Sequence, residues 1–250
     1  MLLVNNLIGF GAGDSSGGIQ FVGGNTAAKA GATSGNTTIA LGSGLTGGID
    51  SAVATDDLVI AVFGSASLGS DRTLAITDGT NNYTLIGSEQ FEGGGGGYAI
   101  NLRTAYKFMG VSPDASTTFG PTGNSADAGA MAVYVFRGVN KTTPLDVTVK
   151  QSTIANSLLA NPPSITPVTA GAFIVCVGGA AHVGGVDTFT SSDLVQFQTI
   201  GSDDLFDVTI GIGHKDDWTS GAFDAAAFGC TQTDSTLARS AATTLALRPA

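Results

Sequence analysis

The chain of 250 residues holds two histidines, His182 and His214, and a general base working near neutral pH would be sought there first. Nucleophilic hydrolysis also needs a nucleophile within reach of that base and a third group to orient it. His182 stands in AAHVGG and His214 opens HKDDWTSG, and neither context assembles such a set. Paired acids are the other route, used in glycan cleavage. Asp56-Asp57, Asp203-Asp204 with Asp207 close by, and Asp216-Asp217 are neighbours in turn-like segments, where carboxylates cap and solvate. No catalytic residue is assigned, and the chain is read as non-enzymatic.

Oxygen-rich turns can also hold calcium, and Asp203–Asp207 or Asp216-Asp217 offers such oxygens. Neither has the spacing of a calcium loop, so no metal is expected. The glycine run Gly93–Gly97 is not followed by Lys-Ser or Lys-Thr, which removes a phosphate loop, and no cofactor is expected. It reads instead as a loop tip or a close backbone approach, because no packed strand contains five consecutive glycines. Trp218, the single tryptophan, follows Asp216 and Asp217 directly. An indole beside carboxylates can hold a sugar by stacking and hydrogen bonding, or it can cover one end of a core. Trp218, Asp216 and Asp217 are therefore the candidate surface or glycan contacts, with the core-covering role as the alternative. Cys176 lies inside an apolar run and reads as a small buried thiol, with a Cys176–Cys230 bridge as the alternative.

These residues need a scaffold, and composition restricts it. Glycine numbers 37, about twice the usual share, while charged residues make up 12%, about half of it. With 42% apolar residues, the chain has enough hydrophobic content to fold. The net charge of −10, with ten Lys and Arg in all, disfavours nucleic acid and anionic membrane surfaces as partners. No apolar run reaches the length of a membrane helix, and no membrane insertion is expected. The first residues, MLLVNNLIGFGAG, lack the positive segment of a secretory signal, so release by cell lysis is the expected way out of a cell.

Thr55–Gly64 (TDDLVIAVFG) and Thr169–Gly178 (TAGAFIVCVG) each place an uninterrupted apolar run after a turn and before Gly. That pattern predicts strands buried on both faces. The two segments align at a separation of 114 residues (169 − 55 = 114). Tyr106-Lys107 matches His214-Lys215, and Arg137 matches Arg248, which predicts one supersecondary unit used twice. Arg137 and Arg248, at the ends of equivalent strands, predict an ion pair or a carbonyl clamp at the sheet edge. Asp78-Gly79 predicts a hairpin joining Thr73–Thr77 to Tyr83–Ile86. Short strands are also predicted at Leu145–Val149 and Ala225–Phe228, with one helical turn over Asp224–Phe228 as the alternative there. The fold class that results is all-β: an antiparallel, jelly-roll-like β-sandwich built from an internally repeated unit. Residues 19–250 form it from two similar halves, about 44–138 and 160–250. Residues 1–18 precede it as an apolar arm whose Leu2, Leu3, Val4, Leu7, Ile8 and Phe10 are the candidate docking residues.

From about residue 50 onward the chain resembles a group of structural proteins of tailed-bacteriophage virions. The resemblance rests on DLVIAV, DGTNNYTLIG, RTAYKFMG, AVYVFRGVN and the closing TTLALRPA. It implies a tail tip or tail fibre component that contacts the host surface. A capsid decoration (cement) protein is one alternative, and a carbohydrate-binding or glycan-active protein is the other. It also implies other virion proteins as partners, a homo-oligomer with a trimer favoured, and a host surface glycan or protein as target. The chain would act in the extracellular virion after assembly in the host cytoplasm. Removing residues 1–18 is expected to leave the β-sheet circular dichroism intact while abolishing incorporation into particles. Loss of the folded signal would make the arm a core strand instead.

Overall fold

The computed structural model describes residues 18–29, 35–93, 98–122, 128–182, 188–202, 206–231 and 237–250. Every helix or strand among them is a strand. The first half contributes β1 (Gln20–Lys29), β2 (Thr37–Ala40), β3 (Leu58–Leu68), β4 (Thr73–Thr77) and β5 (Thr84–Leu85). It continues with β6 (Gln90–Glu92), β7 (Tyr98–Phe108), β8 (Ser116–Thr122) and β9 (Ala128–Arg137). The second half contributes β10 (Lys150–Ala155), β11 (Phe173–His182), β12 (Phe189–Thr190) and β13 (Val195–Ser202). It ends with β14 (Asp207–Lys215), β15 (Gly229–Cys230) and β16 (Arg239–Leu247).

All pairings between these strands are antiparallel. One large sheet runs β1-β9-β3-β7-β5, with β6 also on β7, and the other runs β10-β16-β11-β14-β13. Smaller sheets, β2-β8-β4 and β12-β15, complete the set. The large sheets pack face to face. Leu58, Ile60 and Val62 of β3 share an inner core with Phe173, Val175 and Val177 of β11. The intervening residues point the other way. Val59, Ala61 and Phe63 enter a second core with Ile39, Ile76 and Phe119 of the β2-β8-β4 sheet. Ile174, Cys176 and Ala180 enter a third with Phe189 and Phe228. Sheets with one wet face carry alternating apolar and polar residues. Here Leu58–Phe63 of β3 and Phe173–Val177 of β11 are uninterrupted apolar runs because each lies between two cores.

The shared face fixes a register that the sequence alignment missed. At a separation of 114 residues, Val59 falls opposite Phe173, yet these side chains enter different cores. Gly64 and Gly178 differ in the same way. A Cβ on Gly64 would lie 2.5 Å from Ile210 Cγ2 across the inner core, whereas one on Gly178 would meet Ala160 and Phe228 in the third. A one-residue shift along a strand reverses every facing, so positions matched at a separation of 114 residues do not share a facing there.

Other expectations change in part. The Asp78-Gly79 turn forms, with Gly79 at φ +93° and Asp78 N–H donating to Asn81 O at 3.1 Å. The strands then separate, because Tyr83 turns into the second core beside Thr117 (hydroxyl oxygens 2.9 Å apart) while β5 joins β7. The strand expected at Leu145–Val149 lies at Lys150–Ala155, and Leu145 makes only an isolated bridge with Leu247. Ala225–Phe228 is neither strand nor helical turn. Its amides serve other partners: Ala226 N–H donates to Asp193 Oδ2 at 2.8 Å and Phe228 N–H to Ala160 O at 2.9 Å.

Polar fasteners join the halves at the edges of the inner core. Gln90 Nε2 donates to Ser152 O at 2.7 Å and Ala242 O at 3.0 Å, and Gln90 Oε1 accepts from the Thr243 hydroxyl at 2.7 Å. Tyr134 donates its hydroxyl to Ile212 O at 2.9 Å. Where Gly64 meets Ile210 there is no room for a methyl group, and overpacking of this kind costs about 1–3 kcal/mol. Gly64→Ala is expected to lower unfolding free energy by that amount in denaturant titrations. Ile210→Ala, which removes the clashing Cγ2, should cost less stability in the Gly64→Ala background than in the unaltered chain, and equal costs would place the strain elsewhere.

Candidate functional site

The sequence candidates do not come together. Leu2, Leu3, Val4, Leu7, Ile8 and Phe10 lie outside the described residues, as do Asp203, Asp204 and all of the glycine run but Gly93. Asp207 is buried and pairs across the ladder with His182. No disulfide joins Cys176 and Cys230, and burial pushes the Cys176 thiol up to about 12, which keeps it protonated. Trp218 packs against the third core and donates its indole N–H to Gly221 O at 3.0 Å. Asp216 and Asp217 instead border a cleft at the end of the seam between the two large sheets. The backbone at Asp217 is left-handed (φ 50°), and the chain changes direction between the carboxylates and the indole.

This cleft, of about 540 Å³, is assembled from distant parts of the chain. Ile19, Gln20 and Phe21 come from the start of β1, and Gly47 to Ile49 from the loop after β2. Phe173 opens β11, Val195 and Gln196 open β13, and His214 with the two aspartates closes β14. The loop is tied to β1 by Ile49 N–H donating to Phe21 O at 3.2 Å and Asp50 N–H to Val22 O at 3.0 Å. Gly48 permits that approach, because a Cβ there would lie 2.3 Å from Val22 O. On the other wall β13 bulges between Val195 and Gln198, and Gln196 takes φ 49°. The Tyr134 hydroxyl, whose single proton is shared between Ile212 O and Gln196 O, holds the bulge.

His214 forms part of the floor. Its ring lies 4.7 Å from those of both Phe21 and Phe173, with Phe136 and Tyr134 at 6.1 and 6.4 Å. The residue is 3% exposed, and neither ring nitrogen has a hydrogen-bond partner. Burial pushes its pKa down to about 4, against a smaller upward pull from Asp216. The imidazole is therefore neutral at pH 7 and lacks the partner that would orient a catalytic base. The lining residues include no hydroxyl or thiol side chain. A smaller hollow of about 420 Å³, walled by residues such as Thr190, Ser192 and Ala227, offers no titratable lining group.

Arg137 and Arg248 make the contacts expected of them. Arg137 grips the fully buried Asp57 through Nε at 2.8 Å and Nη2 at 3.0 Å, and Asp57 Oδ2 also accepts from Ala54 N–H at 2.8 Å. Arg248 Nε donates to Asp146 Oδ1 at 3.1 Å and its Nη2 to Asp146 O at 3.1 Å. Asp146 additionally accepts from Val168 N–H at 2.6 Å, Thr169 N–H at 3.0 Å and the Thr169 hydroxyl at 2.5 Å. These hydrogen bonds hold its carboxyl below the ordinary range against the opposing effect of burial.

Removing one partner of a buried pair costs about 3–5 kcal/mol. Arg137→Ala should approach that figure in denaturant titrations, because Asp57 keeps only one other donor. Arg248→Ala should cost less, since Asp146 keeps three, and a reversed order would refute this account. For His214 the folded pKa of about 4 lies below the ordinary 6.5. Its neutral form thus supports the fold fully above pH 6.5, and that support fades as pH falls toward 4. The loss is about 3 kcal/mol at 1.36 kcal/mol per pKa unit. His214→Phe should flatten this part of the stability–pH curve, and an unchanged curve would assign it to carboxylates. No family model and no curated protein sequence matches the chain.

Proposed function

We propose that this chain is a non-enzymatic structural protein of a tailed-bacteriophage virion, placed at the tail tip or tail fibre and contacting the host surface. The observation that carries the reading is the layering: β3 and β11 are apolar on both faces and covered on both. With 12% charged residues, such a stack suits a part that holds its shape against neighbours. The strand motifs DLVIAV, RTAYKFMG and AVYVFRGVN support the virion assignment. In this reading the partners are other virion proteins, further copies of the chain in a trimer, and a host glycan or protein.

The same reading takes the β-sandwich as jelly-roll-like and built from a unit used twice, once in each half. Supporting it, β1-β9-β3-β7 against β2-β8-β4 is the order in which two Greek keys interleave. The orders β10-β16-β11-β14 and β12-β15 repeat it without a counterpart of β2. Register supports it too. Ile60 pairs with Tyr106 and Tyr134, and Val175 pairs with His214 and Leu245. Ile60 then corresponds to Val175 (175 − 60 = 115), Tyr106 to His214 and Tyr134 to Leu245. At that separation Gly64 corresponds to Gly179, and a Cβ on either would meet Ile210.

Immunogold labelling of intact particles with antibody to this chain tests the assignment. Gold at the tail tip is the expected result. Gold spread over the head would make the chain a decoration protein, and no gold on any particle would remove the virion reading.

A further inference from the structure

The seam cleft combines a negative rim with a floor that is costly to keep. Its carboxylates, Asp216 and Asp217, accept hydrogen bonds and cannot donate them. Among the described residues neither has an ion-pair partner, and no Lys or Arg borders the cleft. His214 lies 97% out of solvent at the floor with both ring nitrogens unpaired. Phenylalanine would fill the same aromatic box without an unsatisfied polar group, so retaining imidazole costs stability. Gln196 and Asp217, two of the four non-glycine residues at positive φ among those described, also border the cleft. Strained backbone and unsatisfied polar groups concentrate where a site is held ready for a ligand.

The chemistry missing from the cleft is a positively charged donor with no acceptor of its own. Guanidinium meets that description: it has five N–H groups, stacks on aromatic rings and is weakly hydrated enough to enter apolar surroundings. Ile49 and Val195, 56% and 45% exposed, give the walls an apolar surface that methylene groups can cover. We propose that the seam cleft binds an arginine side chain presented by a partner protein. The guanidinium sits at Asp216 and Asp217 beside the His214 ring, and the stem lies along Ile49 and Val195. The net charge of −10 adds attraction for a basic partner surface. This site does not depend on the chain belonging to a particle.

The test is an NMR titration of the full chain with N-acetyl-arginine methylamide, compared with the citrulline analogue, which has the same shape without the charge. Saturable shifts of the His214 ring and the Ile49 and Val195 methyls are expected with arginine, with affinity at least tenfold weaker for citrulline. The double variant Asp216→Asn, Asp217→Asn should weaken arginine binding at least tenfold. If that variant fails to fold, Ile49→Ser with Val195→Ser takes its place and should weaken binding at least threefold. Equal binding of arginine and citrulline, or a variant that folds and binds unchanged, would overturn the proposal. So would a lysine analogue or guanidinium chloride binding as tightly as the blocked arginine, the latter marking an adventitious ion only. Free arginine binding tenfold tighter than the blocked form would make the cleft a small-molecule site and overturn the partner-protein assignment.

Discussion

The fold depends on one constraint: β3 and β11 carry apolar side chains on both faces, so neither can tolerate water on either side. Full burial of a Val, Leu, Ile or Phe side chain contributes roughly 1.5–3 kcal/mol, and Leu58, Val59, Ile60, Val62 and Phe63 of β3 with Phe173, Ile174, Val175 and Val177 of β11 are all buried. Covering them once, against each other, makes the inner core. Covering them again calls for β2-β8-β4 on one side and the β12-β15 region on the other. The buried Gln90 and Tyr134 satisfy backbone carbonyls across the seam. The arginine locks at Asp57 and Asp146 tie down the segments that lead into the same central strands.

Much of this was legible in the residues themselves. Leu58–Phe63 and Ala172–Val177 announce strands with two dry faces, and Asp78-Gly79 announces its turn. β10 was displaced because Lys150–Ala155 is a half-exposed edge strand without apolar alternation, placed by its ladder with β16 rather than by its own pattern. β8 was missed for a related reason: Ser116–Thr122 is rich in Thr and contains Pro121. The mismatch of facing at a separation of 114 residues has a different source. Matching glycine to glycine ignores which way each Cα faces, and facing is decided by the opposite sheet.

The cleft was far less legible. Asp216 and Asp217 stand out as an acidic pair, but their neighbours come from residues 19–21, 47–49, 173 and 195–196, which no local spacing connects. His214 reads as an isolated histidine until Phe21, Phe136 and Phe173 close around it from three other strands. Trp218 shows the converse. Adjacent in sequence to the acids, it serves another core, because the left-handed turn at Asp217 separates them. The match between Arg137 and Arg248 predicted their role, yet their acids arrive differently: Asp57 just before β3, Asp146 in the joint ahead of β10.

The strand order has a consequence for how the chain is made. β16, the last strand, lies in the interior of its sheet between β10 and β11, and β9 likewise inserts between β1 and β3. During synthesis the first sheet has its central partner by Arg137, while the second stays split until Leu247 has left the ribosome. Until then β11 exposes one unpaired edge and part of both apolar faces. Pairing across such sequence distances is slow, and open strand edges of this kind are where chains aggregate. The nascent chain is therefore least protected in the interval after β11 has emerged and before β16 has joined it.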